Sequence, residues 1–328
     1  VTAGNDRRKL RAGVIGLGSM GVNHARVYAE MEGVELVAVA DTLPERLTQA
    51  ATTYDDYRRM LAEERLDLVS ACVPTLLHRD VALAAVESGV ALLVEKPIAA
   101  TPAEGREMAR AAREAGVALM VGHVERFNPA VLEVKRLLAA GRLGRVFQVY
   151  ARRTGPFPQR VRDVGVVHDL APHDIDIMSF LLESPVERVY AQTACGIATE
   201  HEDLLAGVLR FRNGVTGILD VNWLTPLKVR QLAVLGEKGL LQADYLSQEV
   251  RFYPKEGEVA SAASPEMIRV ESKEPLRLEL EAFVEAVREG REPPVTAEDG
   301  LSALEIASLL VESARRGEVM TLEPRRVG

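Results

Sequence analysis

Cysteine is scarce in this chain, and what there is serves neither oxidation nor metal binding. Cys72 sits in an apolar stretch and Cys195 lies far from it, so the two thiols give neither a disulfide framework nor a metal-type spacing. Each reads as a small buried residue. Also missing are an apolar run long enough to cross a bilayer, a charged and apolar leader with a small-residue cleavage site, and any internal repeat or low-complexity tract. Positive charge is not in excess: the net charge of −8 at pH 7 disfavours nucleic acid and anionic membranes as partners. These absences point to a cytoplasmic protein. Its 328 residues, 47% of them apolar, exceed one typical domain and can bury a sizeable core.

The first strong positive signal is the glycine loop Gly16-Leu17-Gly18-Ser19-Met20-Gly21. Residues 12–17 read as a short apolar strand, and residues 21–30 continue as a helix. Gly16 permits a tight turn, Gly18 lets the backbone approach a pyrophosphate, and Gly21 lets helix and strand pack closely. The free N–H groups and positive dipole end of that helix then face the phosphates. A second strand, residues 34–40, ends at Asp41, twenty residues past Gly21, where an acid hydrogen-bonds a ribose 2′-hydroxyl. A carboxylate there repels a 2′-phosphate, and Thr42 rather than arginine follows it, so the expected cofactor is NAD rather than NADP.

Strand and helix patterns alternate through residue 122, which predicts a doubly wound parallel sheet. A third strand spans 67–73 before Pro74, a helix runs from about His78 to Gly89, and residues 90–94 form the next strand. Thr101-Pro102-Ala103-Glu104 has the form of a capping box opening a helix that stops near Gly116, and residues 117–122 close this half. The stretch 41–54 is short, so the second crossover helix is expected to lose a turn. Sheets of this kind bind ligands beyond the carboxyl ends of their strands. Gly16, Asp41, Pro74 and Glu95-Lys96 all fall at such ends. A lysine is ordinarily a solvated surface group. One at a strand end, before Pro97 and above a cofactor crevice, is read as functional.

After residue 122 the crossover helices lose their regularity. Strands are expected over 146–153, 186–193, 204–212, 216–223, 231–235 and 239–244, with Asn213-Gly214 as a hairpin turn. Residues 259–265 read as a small-residue loop, 276–289 as an amphipathic helix and about 298–315 as a final helix. The expected architecture is α/β: an N-terminal Rossmann domain over residues 1–122, then a domain over 123–328 with a large, mostly antiparallel open sheet and helices on one side.

The second half has its own constellation in Gly165-Val-Val-His168-Asp169-Leu-Ala-Pro172-His173-Asp174. Proline is tolerated in a first helical turn, which puts the helix start near residues 167–169 and makes Asp169 and His173 neighbours one turn apart. A carboxylate there orients the imidazole and favours its protonated form, as a base for a hydroxyl proton requires. The plainer alternative is a structural histidine. His168, Asp169, His173 and Asp174 do not read as metal ligands, because consecutive residues point to different helix faces and no partner cluster exists elsewhere. His24 and His201 default to structural or surface roles.

Charge supplies a substrate clue. Between Glu133 and Asp163 there is no acid, but Lys135, Arg136, Arg142, Arg145, Arg152, Arg153, Arg160 and Arg162 all occur. In an acidic chain this block points to an anionic substrate, although the first four are more simply a solvated helix end. Strand alternation lets only one of Arg152 and Arg153 face a given side, and Arg153 is the one expected in the cleft.

These residues together resemble the Gfo/Idh/MocA oxidoreductases. The resemblance spans nearly the whole chain. It rests on Gly16 to Gly21, Pro74 with His78, Glu95-Lys96-Pro97, the Gly165, Asp169 and His173 spacing, and the closing Pro294-Val295-Thr296-Ala297-Glu298-Asp299-Gly300. It implies a Rossmann domain and a second domain for substrate binding and oligomerisation, assembling as homodimer or homotetramer. It also implies NAD held by Gly16, Gly18, Met20, Gly21, Asp41, Pro74, His78, Glu95 and Lys96, a cis bond before Pro97, and catalysis by Lys96, Asp169 and His173. In that scheme Lys96 lies near the nicotinamide, Asp169 positions the substrate and His173 is the general base.

Val121-Gly122-His123-Val124-Glu125-Arg126-Phe127-Asn128-Pro129, with Arg153-Thr154-Gly155-Pro156-Phe157-Pro158 and Arg162-Asp163-Val164-Gly165, is similar to the nucleotide-sugar members, especially the UDP-N-acetylglucosamine 3-dehydrogenases. That similarity implies oxidation of a sugar C3 hydroxyl, with Arg126, Asn128 and Arg153 on the substrate. Asn128-Pro129 also reads as N-cap and N1 of a helix, and the two readings of Asn128 stay open. Two alternatives to a nucleotide-linked amino sugar are kept: a dehydrogenase of a free sugar or inositol, and a non-catalytic dinucleotide sensor.

Overall fold

The computed structural model describes residues 8–47, 52–158, 164–196, 200–255 and 264–322. The chain divides into two compact units: residues 1–124 with 276–301, and residues 125–275 with 302–328. The stretch 276–301, which a single cut at residue 122 leaves in the second half, belongs to the first unit.

In the first unit, β1 (Leu10–Ile15), α1 (Gly21–Glu30), β2 (Val34–Ala40), β3 (Thr52–Tyr54), α2 (Tyr57–Glu63), β4 (Leu68–Ala71), α3 (His78–Glu87), β5 (Ala91–Glu95), α4 (Pro102–Ala115) and β6 (Leu119–Gly122) follow in order. The strands form one all-parallel sheet in the order β3-β2-β1-β4-β5-β6. β4 and β5 are buried along their whole length, which is why they read as continuous apolar runs rather than alternating ones. The Thr101 hydroxyl accepts the Glu104 N–H and the Glu104 carboxylate accepts the Thr101 N–H, so the predicted capping box starts α4, and Gly116 at φ 66° ends it. Within 41–54, where a shortened crossover helix was expected, the described residues hold a single 3-10 turn over Pro44–Arg46, and residues 48–51 lie outside the described residues. β3 was not anticipated; it is a three-residue edge strand with Thr52 and Thr53 exposed, so it carries no apolar signal.

In the second unit, α5 (Pro129–Ala139), β7 (Val146–Pro156), α6 (Val166–Leu182), β8 (Val186–Cys195), β9 (Glu202–Phe211), β10 (Thr216–Asn222), β11 (Leu224–Gly236), β12 (Gly239–Asp244), β13 (Glu249–Pro254) and β14 (Glu266–Ile268) are followed by α7 (Pro275–Glu289), α8 (Ala297–Arg316) and β15 (Met320–Thr321). All of α7 but its first residue, and the opening turn of α8, belong to the first unit. Nine strands make one sheet in the order β14-β13-β12-β11-β7-β10-β9-β8-β15, antiparallel throughout except for the β7–β10 pair. Asn213-Gly214 forms the β9–β10 hairpin, Gly214 taking φ 88°.

One face of this sheet is core. Val149, Ala151, Leu205, Leu209, Leu219, Val221, Leu232, Val234 and Leu241 join residues of α6 and of the second-unit part of α8 in a single buried cluster. α6 begins at Val166, slightly before the expected start, and Pro172 therefore lies beyond the first turn, inside the helix. The helix continues through the missing N–H because packing against β7, β9 and β10 holds it. The expected loop at 259–265 falls largely outside the described residues.

Candidate functional site

The glycine loop of the first unit is shaped for a dinucleotide. Gly16 takes φ 87°, a conformation that favours glycine, and a Cβ on Gly21 would run into the Gly16 carbonyl. A Cβ on Gly18 would meet nothing within 4 Å, so this backbone lies open to a ligand. The N–H groups of Gly18, Ser19 and Met20 have no protein acceptor among the described residues, and Met20 is the N-cap of α1. An exposed cradle of N–H groups at a helix start suits the pyrophosphate of NAD.

Asp41 stands at the end of β2, nearly buried. Its carboxylate accepts the Leu17 N–H at 2.6 Å and the Leu43 N–H at 2.9 Å, which fixes its direction beside the loop. Arg46, in a single 3-10 turn, brings a guanidinium nitrogen to 3.5 Å from Asp41. The sequence hid this cation, because the residue directly after the acid, Thr42, is uncharged and the chain must turn before Arg46 can fold back. Leu76 and Leu77, left 72% and 47% exposed just after Pro74 at the end of β4, carried no sequence signal either.

Lys96 follows β5 directly, and its peptide bond to Pro97 is cis. Glu95 accepts the Lys96 N–H at 3.2 Å through one carboxylate oxygen and bonds Nε2 of fully buried His24 at 3.0 Å through the other. Burial alone would raise the Glu95 pKa. The hydrogen bond and charge of His24, together with Lys96, outweigh it and hold the carboxyl below its usual value. An ionised Glu95 makes the His24 Nε2–H the donor. On the far side of the lysine, the buried His78 ring sits between the carbonyl oxygens of Pro97 (Nδ1, 2.8 Å) and Val73 (Nε2, 3.0 Å). Burial lowers the His78 pKa while those carbonyls pull the other way. His24 and His78 thus brace the backbone on both sides of Lys96. His24, Cys72 and Glu95 also place donor atoms within 4.8 Å of one another. With burial pushing the Cys72 thiol up and His24 bonded to Glu95, the group acts as a hydrogen-bonded support rather than a metal cage.

In the second unit, Gly165 is the N-cap of α6, where a side chain would collide with the Glu202 carboxylate. The Asp169 N–H donates to the Gly165 carbonyl at 3.1 Å, and His173 follows one turn later. Asp169 is buried and His173 half-buried.

Arg126 and Arg153, expected from sequence on a substrate, are instead engaged internally. Arg126 makes a two-pronged bond to Asp176 at 2.7 and 2.6 Å and lies over the Phe180 ring. Arg153 makes the same kind of bond to Asp174 at 2.7 and 3.1 Å, with Glu125 at 3.0 Å. Burial works against the Arg153 charge, but Asp174 and Glu125 prevail and raise its pKa. Asn128 caps α5: its side chain accepts the Ala130 N–H and donates to the Tyr245 carbonyl, both at 3.1 Å. Lys135, Arg136 and Arg142 pair with Glu183, Glu133 and Glu266. Arg152 faces the other side of the sheet from Arg153 and pairs with Asp220. Arg160 and Arg162 lie outside the described residues.

Residues 10–123 match the model of an oxidoreductase family with an NAD-binding Rossmann fold, and residues 131–242 match the GFO/IDH/MocA C-terminal domain. The scyllo-inositol 2-dehydrogenase (NAD(+)) of Bacillus subtilis is 27% identical over 97% of this chain and 98% of its own. The UDP-N-acetylglucosamine 3-dehydrogenase of Acidithiobacillus ferrooxidans is 28% identical over 85% of this chain and 88% of its own. Among solved structures, the WlbA dehydrogenase from Bordetella pertussis, in complex with NADH and UDP-GlcNAcA, superposes with a TM-score of 0.82 at 28% identity, covering 97% of this chain and 100% of that one.

Asp41→Ser is expected to lower kcat/KM for NAD about 10- to 100-fold, the worth of hydrogen bonds to a charged acceptor, and to narrow the preference over NADP because Arg46 is released toward a 2′-phosphate. Steady-state kinetics with both cofactors checks it, and an unchanged preference would show that Asp41 does not read the ribose. Arg126→Ala strands Asp176 as a buried charge and is expected to cost about 3–5 kcal/mol of unfolding free energy in urea titration. Undiminished stability with weakened substrate binding would return Arg126 to the substrate.

Proposed function

Because the chain belongs to the Gfo/Idh/MocA oxidoreductase family, we propose that it oxidises a secondary hydroxyl, at C3, of a nucleotide-linked amino sugar such as UDP-N-acetylglucosamine to a ketone. The observation that carries the reading is the placement of buried Asp169 one turn before His173 on α6. Support for the nucleotide-linked substrate comes from the stretch 121–129, from the UDP-N-acetylglucosamine 3-dehydrogenase relative and from the UDP-sugar complex of the structural relative.

In the proposed reaction His173 accepts the hydroxyl proton while Asp169 holds the imidazole in position. The Lys96 cation offsets the alkoxide charge that develops as the proton leaves. NAD, when bound, takes the hydride from the same carbon. The loop N–H groups and Asp41 would hold its pyrophosphate and ribose, and His24, Glu95 and His78 keep the Lys96 backbone in place. Arg126, Arg153 and Asn128 are assigned to the framework of the second unit.

A free sugar or inositol is the second reading. It is favoured by the inositol dehydrogenase relative at nearly the same identity, and by the internal pairing of the two arginines.

The test is NAD reduction with UDP-N-acetylglucosamine beside free N-acetylglucosamine, glucose and myo-inositol, with a carbonyl trap to draw the ketone off. Reduction with the nucleotide sugar alone is expected, and His173→Ala should lower kcat by about 10²–10⁴-fold without loss of NAD binding. Turnover of myo-inositol or a free sugar alone would sink the leading reading. No turnover of any substrate, with NAD still bound, would favour a dinucleotide sensor.

We also propose that the chain self-associates through the outer face of the nine-stranded sheet. Tyr190, Val208, Ile218, Tyr150 and Ala233 stand in register across five adjacent strands of that face, forming one apolar row with Val208 44% exposed. Val208→Lys is expected to shift sedimentation from dimer or tetramer toward monomer. A monomeric wild-type protein would refute the assignment.

A further inference from the structure

Arg230 of β11 stands directly opposite Arg153 of β7, and the next strand continues the row with Tyr245, whose N–H donates to the Arg230 carbonyl at 2.9 Å. The row extends the buried side of the sheet, where Ala151, Leu232 and Ala243 enter the core two residues away on each strand. The two facing guanidiniums have unequal company. Arg153 is matched by Asp174 and Glu125. Arg230 has no carboxylate at ion-pair distance among the described residues. One of its terminal nitrogens donates to the carbonyls of Thr154 and Val229, both at 2.7 Å, and its other donors meet no protein acceptor there.

A permanently charged group that is half out of water, beside a like charge, is held at a cost unless a counter-charge arrives. The strain shows in its acidity: burial first, then Arg153, brings Arg230 down to about 10. Asp174, Glu125 and Asp169 oppose this from a longer range, and Asp169 belongs to the helical turn that leads to His173. Tyr245, next in the row, is buried with its hydroxyl unpartnered among the described residues. Donors are therefore in surplus along one row, and acceptors are lacking. A guanidinium fork suits two oxygens of one anion.

We propose that Arg230 anchors an anionic group of the substrate, a phosphate or a carboxylate, within the second unit. The proposal deepens the nucleotide-sugar reading and rests on it for the substrate. It also accounts for how a chain in which Arg152 and Arg153 are both paired with carboxylates of its own can still recognise a negatively charged sugar.

The experiment is calorimetric titration of the full-length, NADH-loaded protein with UDP-N-acetylglucosamine, inorganic pyrophosphate, D-glucuronate and myo-inositol, comparing wild type with Arg230→Gln and Arg230→Lys. Wild type is expected to bind at least one anion. Arg230→Gln should weaken that binding tenfold or more and Arg230→Lys should restore part of it, with affinity for NADH and for any neutral polyol unchanged. Binding of pyrophosphate identifies a phosphate as the partner, and binding of glucuronate alone identifies a carboxylate. If wild type turns over only neutral sugars yet Arg230→Gln still loses the anion, the nucleotide-sugar reading fails and the anchor stands. Equal anion affinity in wild type and Arg230→Gln, or no anion binding by wild type, overturns the proposal. Should Arg230→Gln not fold, the decision passes to wild type: pyrophosphate or glucuronate must protect Arg230 from phenylglyoxal, mapped by mass spectrometry, and absence of protection overturns it equally.

Discussion

A guanidinium taken out of water has to meet a carboxylate, and α6 is where the second unit satisfies that demand. Asp174 receives Arg153 from the middle of the sheet, and Asp176 receives Arg126 from the segment before α5. Losing either partner alone leaves a buried charge, which is far more destabilising than the pair is stabilising. These clamps sit one and three residues beyond His173 on the same helix. The orientation of the imidazole is therefore tied to the framework charges, and the sheet, the helix and the candidate base are fixed together.

The first unit solves a different problem, that of presenting one lysine at the end of a buried strand. The backbone around Lys96 is gripped through neighbouring groups, by Glu95 backed by His24 and by His78 reaching the Pro97 carbonyl. These side chains are buried or nearly so, and through the backbone they position the lysine that a ligand meets.

Much of this was legible in the sequence because it is local. The glycine loop, the capping box, the Asn213-Gly214 turn and the one-turn spacing of Asp169 and His173 are each decided within a few residues. The missing parts depend on distant partners. The return of residues 276–301 to the first unit is a matter of long-range packing. The basic block was visible as charge, but the pairing of Arg153 was not, since Asp174 meets it only through the packing of α6 against β7. The pairing of Arg153 with Arg230 across β7 and β11 is equally invisible to a local pattern. His24, read as structural or surface, proved fully buried. Its neighbour in space, Glu95, is remote in sequence.

The outermost strands of the nine-stranded sheet are its shortest, three residues in β14 and two in β15. They cover only part of their neighbours: β15 meets Arg188 and Val189 of the ten-residue β8, and β14 meets Val250, Arg251 and Phe252 of the six-residue β13. Among the described residues, growth along the hydrogen-bonding direction, the route to fibrils, would therefore have to start on the uncovered length of β8 or β13.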